Sequence, residues 1–263
     1  MTTFTHITVE RSHKDRIATI TMRRAEARNA FNTQLVEDLL RAFTELRSDT
    51  RLHAVVLTGD GPVFSAGADL NMMKSSSAFS QEQNLEDALA MSDLFKIINT
   101  FPCAVIGRIN GAAMGGGLGL VAACDIVIAV DSAKLAFSEV RLGIAPAVIS
   151  PYVIRKIGES QARLLFLTGE TFSAAHAREI GLVHIVTSAV ELDAAVANKI
   201  GELLKCAPLA MRACKALALN VGQMDSETAR RYTAETIARL RVSEEGQEGL
   251  QAFLEKRKPG WIV

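Results

Sequence analysis

The amino-acid sequence predicts an α/β fold in which short apolar strands alternate with helices and a helical region closes the chain. Three observations predict it. The stretch from Ile7 to Met22 alternates apolar and polar residues about a charged centre. Apolar runs at 53–58, 103–109 and 125–130 are separated by stretches with helical spacing. Beyond Ala145-Pro146-Ala147 the chain reads as almost wholly helical.

Taken in order, Ile7-Thr-Val-Glu10 and Ile17-Ala-Thr-Ile-Thr-Met22 read as half-buried strands, with Arg11-Ser-His-Lys-Asp-Arg16 as the turn of a hairpin. Asn29-Ala-Phe-Asn32 leads into a helix whose apolar face is Phe31, Leu35, Val36, Leu39, Leu40, Phe43 and Leu46. The strand at 53–58 ends at Gly59 and Gly61. Residues 72–83, where Lys74 is followed by three serines, read as a mobile, solvated segment. A helix over about 85–98, Pro102 and the strand at 103–109 come next, then a glycine-rich stretch opening an alanine-rich helix. Residues 125–130 and 134–137 read as two more strands. Later helices are expected at 149–157, 160–167, 174–180, 192–204, 209–219, 226–242 and 245–256, with Ala207-Pro208 as the best break. The chain divides into an expected core, 1–195, and a helical region, 196–263. So small a helical region buries little alone and is expected to pack on the core or on another subunit.

With 263 residues, 49% of them hydrophobic, the chain has ample material for a core. Its 29 basic and 29 acidic residues cancel, so it offers no field to nucleic acid or to an anionic membrane. The first residues lack the charged-then-apolar layout of a signal peptide, and nothing resembles a membrane span. Cys103, Cys124, Cys206 and Cys214 form no CxxC pair and read as reduced structural thiols of a cytoplasmic protein. His6, His13, His53, His176 and His184 show no metal-ligand spacing, and no metal is expected.

The chemistry concentrates in two stretches. Gly111-Ala-Ala-Met-Gly-Gly-Gly-Leu-Gly119 lies where an apolar strand feeds a helix, so bare N–H groups of Gly115, Gly116 and Gly117 meet the positive end of that helix. Phe64-Ser-Ala-Gly-Ala-Asp-Leu70 follows another apolar strand and can bring a second N–H to the same oxygen. Glu139 lies immediately after a strand, in Phe137-Ser-Glu-Val-Arg-Leu-Gly-Ile-Ala-Pro146. Together these stretches resemble the crotonase superfamily, the enoyl-CoA hydratase/isomerase family, and the resemblance runs over nearly the whole chain. It implies a spiral of strand–strand–helix repeats and a C-terminal helical region used for trimerisation, with trimers commonly paired into hexamers.

The resemblance also implies roles. The backbone N–H groups of Ala68 and Gly116 form an oxyanion hole for the thioester oxygen of an acyl-CoA. Glu139 exchanges a proton with the substrate α-carbon, and apolar walls would raise its pKa. Arg28, Asn29, Ala66, Asp69, Leu70, Gly115 and Lys256 match positions near CoA or substrate. CoA is then part of the substrate, and no separate cofactor is expected. One departure is important: hydratases of the family carry a second glutamate where this chain has Gly119, so open space for water or for a bulkier substrate is expected there. Hydration using Glu139, double-bond isomerisation by one glutamate, and acyl-CoA binding without catalysis all stay open. A 3-hydroxyacyl-CoA hydrolase is disfavoured, because Ala147 stands where that branch places an aspartate. The motifs look most like hydratases of branched, carboxylated substrates such as 3-methylglutaconyl-CoA or isohexenylglutaconyl-CoA. Such an acyl group needs a cation, for which Lys74, Arg141 and Arg155 are candidates.

Overall fold

The protein is seen in a computed structural model that describes residues 3–76 and 78–262. β1 (Ile7–Ser12) and β2 (Ile17–Met22) form the expected antiparallel hairpin. Helix α1 (Thr33–Arg47) follows; the Asn32 side chain caps it by accepting from Leu35 N–H at 2.8 Å.

From there one unit repeats. β3 (Ala54–Gly59) joins a six-stranded sheet, β4 (Val63–Ser65) a four-stranded one, and helices α2 (Leu70–Ser76) and α3 (Gln81–Asn99) return the chain. β5 (Ala104–Ile109), β6 (Ala112–Met114) and α4 (Gly116–Ala123) repeat the pattern, and β7 (Ile126–Val130), β8 (Lys134–Ala136) and α5 (Ser150–Thr168) repeat it again. β3, β5 and β7 are parallel neighbours in the large sheet, and β4, β6 and β8 are parallel neighbours in the small one. This is the spiral of strand–strand–helix turns that the resemblance implies. β3 lies inside its sheet and is buried at every position, which explains its unbroken apolar run.

β9 (Thr171–Ser173) closes the small sheet, and after α6 (Ala174–Glu179), β10 (Ile185–Thr187) closes the large one. Then come α7 (Leu192–Leu203), α8 (Pro208–Asn220), α9 (Ser226–Val242) and α10 (Glu244–Leu254).

Several expectations need correction. The segment expected to be mobile holds α2, and α3 begins at Gln81 because Ser80 and Gln83 form a reciprocal capping box. Ser77, in the same segment, lies outside the described residues. The region after Ala147 is not wholly helical, since β9 and β10 lie in it. β7 and β8 are consecutive in sequence but belong to different sheets. The break expected between helices at 149–157 and 160–167 is present: α5 is interrupted at Gly158, whose φ of 74° and ψ of 163° are not helical. The boundary expected at residues 195 and 196 falls inside α7, whose Val196 and Ile200 are buried in the common core.

A half-buried ion pair ties α8 to the large sheet. Lys215 Nζ lies 2.6 Å from Asp125 Oδ2, which also accepts from Val105 N–H at 2.7 Å. Replacing Lys215 by Met leaves Asp125 without its countercharge in a mostly buried place. The variant is expected to lose about 3 kcal/mol of stability, read from its urea-unfolding midpoint.

Candidate active site

The site begins with a local pairing. Phe31 N–H donates to Gly67 O at 2.7 Å and Asp69 N–H donates to Phe31 O at 2.9 Å, forming a parallel bridge between Phe31 and Ala68. Successive N–H groups along an extended segment point to opposite edges. With Asp69 N–H turned to Phe31, Ala68 N–H faces the other way. That is the side on which α4 begins: a Cβ on Gly67 would lie 2.8 Å from Met114 O and 3.7 Å from Gly116 N. Gly67 has φ +86°, which favours glycine, and no side chain fits so close to the Met114 carbonyl.

Gly115 N–H donates to Ala136 O at 2.9 Å, which pins the strand before α4 to β8. Gly116 is then the first residue of α4, where N–H groups have no helical acceptor. Neither Ala68 N–H nor Gly116 N–H has an acceptor among the described residues. Both residues line a cavity of about 240 Å³, and so does Glu139. Phe31, Met72, Met91, Phe95, Pro146, Val148 and Ile149 make most of the remaining wall, and among the described residues Asp87 is the other ionisable group on it.

Glu139 enters from the helical turn 138–142 that follows β8. Its Oε1 lies 3.2 Å from where a Cβ on Gly115 would be, so the carboxyl sits over the glycine that precedes the hole. Its Oε2 is buried without a hydrogen-bond partner among the described residues. Burial away from water pushes its pKa above the ordinary carboxylate value. Two N–H donors facing an apolar cavity can hold a developing oxyanion, and a carboxyl beside them can carry a proton to or from a neighbouring carbon.

The structure brings Ala68, Gly116 and Glu139 together, with Gly115 beneath the carboxyl. Arg28 and Ala66 are also neighbours, since Ala66 N–H donates to Arg28 O at 2.9 Å, but neither lines the cavity. Two residues expected at the ligand hold the loops instead. Asn29 is fully buried, its amide donating to Asp60 O at 2.9 Å and Val63 O at 2.8 Å. Asp69 pairs with Arg24 at 3.0 Å, both side chains 11% exposed, and the Arg24 guanidinium also donates to Ala30 O. The pair clamps the oxyanion loop to the segment before α1. Leu70 is 74% exposed at the start of α2 and does not line the cavity. Lys256 follows α10 with φ 56°, also outside the cavity.

Gly119 requires the clearest correction. It too does not line the cavity, and no open space stands there: a Cβ on it would meet Ile149 Cγ2 at 2.3 Å and the Phe95 ring at 2.7 Å. The glycine makes room for those two wall residues, and a glutamate at this position would have to displace them. Of the cations considered for an acyl carboxylate, Lys74, Arg141 and Arg155, none lines the cavity. Among the described residues no group of three or more His, Cys, Asp or Glu is placed to hold a metal ion.

Sequence reasoning missed the clamp Arg24 and the wall made by Asp87, Met91 and Phe95. Their spacing of four, with two of the three apolar, was the available signal for one face of α3.

This spiral, with two backbone N–H groups and a carboxyl converging on an apolar cavity, defines a crotonase-fold protein. The chain belongs to the enoyl-CoA hydratase/isomerase family, which it matches over residues 12–262. It is similar to the crystal structure of an enoyl-CoA hydratase from Shewanella pealeana, with a TM-score of 0.94 and 37% identity over 98% of this chain and 96% of that one. An enoyl-CoA hydratase of Alternaria alternata is 35% identical over 91% of this chain and 78% of its own length. A crotonyl-CoA hydratase of Syntrophomonas wolfei is 33% identical over 95% of each.

The raised pKa of Glu139 has a consequence for stability. The folded state holds this proton more tightly than the unfolded chain, so ionising it costs stability as pH rises from the ordinary carboxylate value to the raised one. Glu139→Gln removes that cost. The variant is expected to melt at a higher temperature than the parent at neutral pH. The difference should vanish below the ordinary carboxylate range, where both side chains are neutral.

Proposed function

We propose that the protein adds water across the α,β double bond of a short enoyl-CoA. The observation that carries this reading is the half-buried Glu139, one oxygen unpartnered, beside two N–H groups that lack acceptors in an apolar cavity. A thioester oxygen held by Ala68 and Gly116 would take up negative charge as water adds at the β-carbon. Two such fixed donors contribute about 3 kcal/mol each. Glu139, whose pKa burial raises, would then deliver a proton to the α-carbon. The reaction moves protons without net oxidation or reduction, so this reading calls for no redox cofactor.

Among the described residues the cavity wall carries no cation, and both ionisable groups on it are carboxyls. That favours an uncharged acyl chain, as in crotonyl-CoA, over a carboxylated one such as 3-methylglutaconyl-CoA. The cavity volume supports a short chain. Arg28, Ala66 and Lys256 are proposed to meet the CoA portion at the mouth.

Assembly into trimers or hexamers is part of the same reading. Val242, at the end of α9, and Phe253 and Leu254, at the end of α10, are 78%, 80% and 79% exposed, apolar surface that a neighbouring subunit would cover. Among the described residues no helix is long and apolar enough to cross a membrane, and we propose a cytoplasmic location.

The test is loss of the ultraviolet absorbance of crotonyl-CoA. The parent is expected to turn it over, and Glu139→Gln to do so about 100-fold or more slowly while still binding the thioester. Movement of a 3,4 double bond into conjugation without hydration would favour isomerisation. Tight binding with no turnover of any enoyl-CoA would leave only an acyl-CoA-binding protein.

A further inference from the structure

Hydration requires a group to take a proton from water, and the position used by the family's second glutamate is closed here by Phe95 and Ile149 around Gly119. Another carboxyl faces the same cavity. Asp87 lies on α3, with Met91 and Phe95 four and eight residues further along the same face, and all three line the wall. The Met91 methyl lies 3.8 Å from where a Cβ on Gly116 would stand. Asp87 is one helical turn from Met91, a rise of about 6 Å along the axis, and like Glu139 it lines the cavity.

Three features separate Asp87 from a surface aspartate. It is half-buried, and it has no hydrogen-bond or ion-pair partner among the described residues. It also lines a second pocket of about 320 Å³ with Arg24, Asn32 and Thr33, and Met72 borders both that pocket and the cavity. Burial raises its pKa in the same direction as that of Glu139. A carboxylate without local partners has its lone pairs free for a water molecule.

We infer that Asp87 is the carboxylate that binds and deprotonates the water added to the substrate, a role reached from α3. The inference rests on the hydration reading proposed above. In the step, Asp87 takes a proton from water as the water oxygen bonds to the β-carbon. The π pair of the double bond moves through the thioester to its oxygen, held by the N–H groups of Ala68 and Gly116. As that pair returns, the Glu139 carboxylic acid gives its proton to the α-carbon. One water has been added, Asp87 has gained a proton and Glu139 has lost one. Asp87, bordering the second pocket, releases its proton to solvent, and Glu139 takes one up to close the cycle.

The experiment separates the two carboxyls by reaction. Exchange of the α-protons of butyryl-CoA with deuterium oxide, followed by NMR, needs Glu139 and the oxyanion donors but no water addition. Hydration of crotonyl-CoA needs Asp87 as well. Asp87→Asn is expected to lower hydration about 100-fold or more and to leave exchange within about twofold of the parent, whereas Glu139→Gln lowers both. Asp87→Glu is expected to hydrate faster than Asp87→Asn. Hydration by Asp87→Asn within about twofold of the parent would overturn the assignment and leave the hydration reading standing. Equal loss of exchange and hydration would also overturn it, by making Asp87 part of the wall. A parent protein that hydrates no enoyl-CoA would overturn both readings.

Discussion

Two backbone hydrogen bonds between Phe31 and the Gly67–Asp69 segment set the rest of the site. They use the Gly67 carbonyl and the Asp69 N–H, which leaves Ala68 N–H directed at the start of α4. Everything around the loop defends that geometry. Gly67 accepts a backbone angle that other residues resist, the Arg24–Asp69 pair clamps the loop from behind, and the Asn29 amide ties the chain at three points. These bonds are made within the chain itself, and donors held in place spend no energy on reorganisation when charge develops. The spiral serves the same end: β4, β6 and β8 lie side by side, so the loops that follow them meet at one edge.

The wall that dries the oxyanion donors also governs the carboxyls. Phe95 and Ile149 fill the space beside Gly119, and burial is the chief influence raising the pKa of Glu139 and of Asp87. A drier cavity strengthens the hydrogen bonds to a thioester oxygen and holds both carboxyls nearer their neutral forms. Donor strength and acid strength are therefore set by the same packing, and changes to Phe95 or Ile149 act on both.

Much of this was legible in the sequence, for physical reasons that differ by element. The helices α1 and α9 were read closely because long amphipathic segments repeat their pattern many times, and β3, β5 and β7 because strands inside a sheet are mostly apolar, with Arg108 in β5 the charged exception. β4, β6, β9 and β10 each have three residues, too few to show a period. The glycines and Glu139 could be placed from motif and family resemblance. Gly119 was misread because a sequence shows that a side chain is missing but not what fills its place. Asp87 was missed because Glu139, which lines the same cavity, is more than fifty residues away in sequence.

The central claim is that Ala68 and Gly116 polarise a thioester carbonyl independently of the proton-carrying glutamate. Isotope-edited infrared difference spectroscopy of bound crotonyl-CoA, labelled with carbon-13 at the thioester carbonyl, tests it directly. Two N–H donors weaken the carbonyl bond, so the band should move to lower frequency on binding, in the parent and in Glu139→Gln alike. A band that stays at its solution frequency in both proteins would contradict the account.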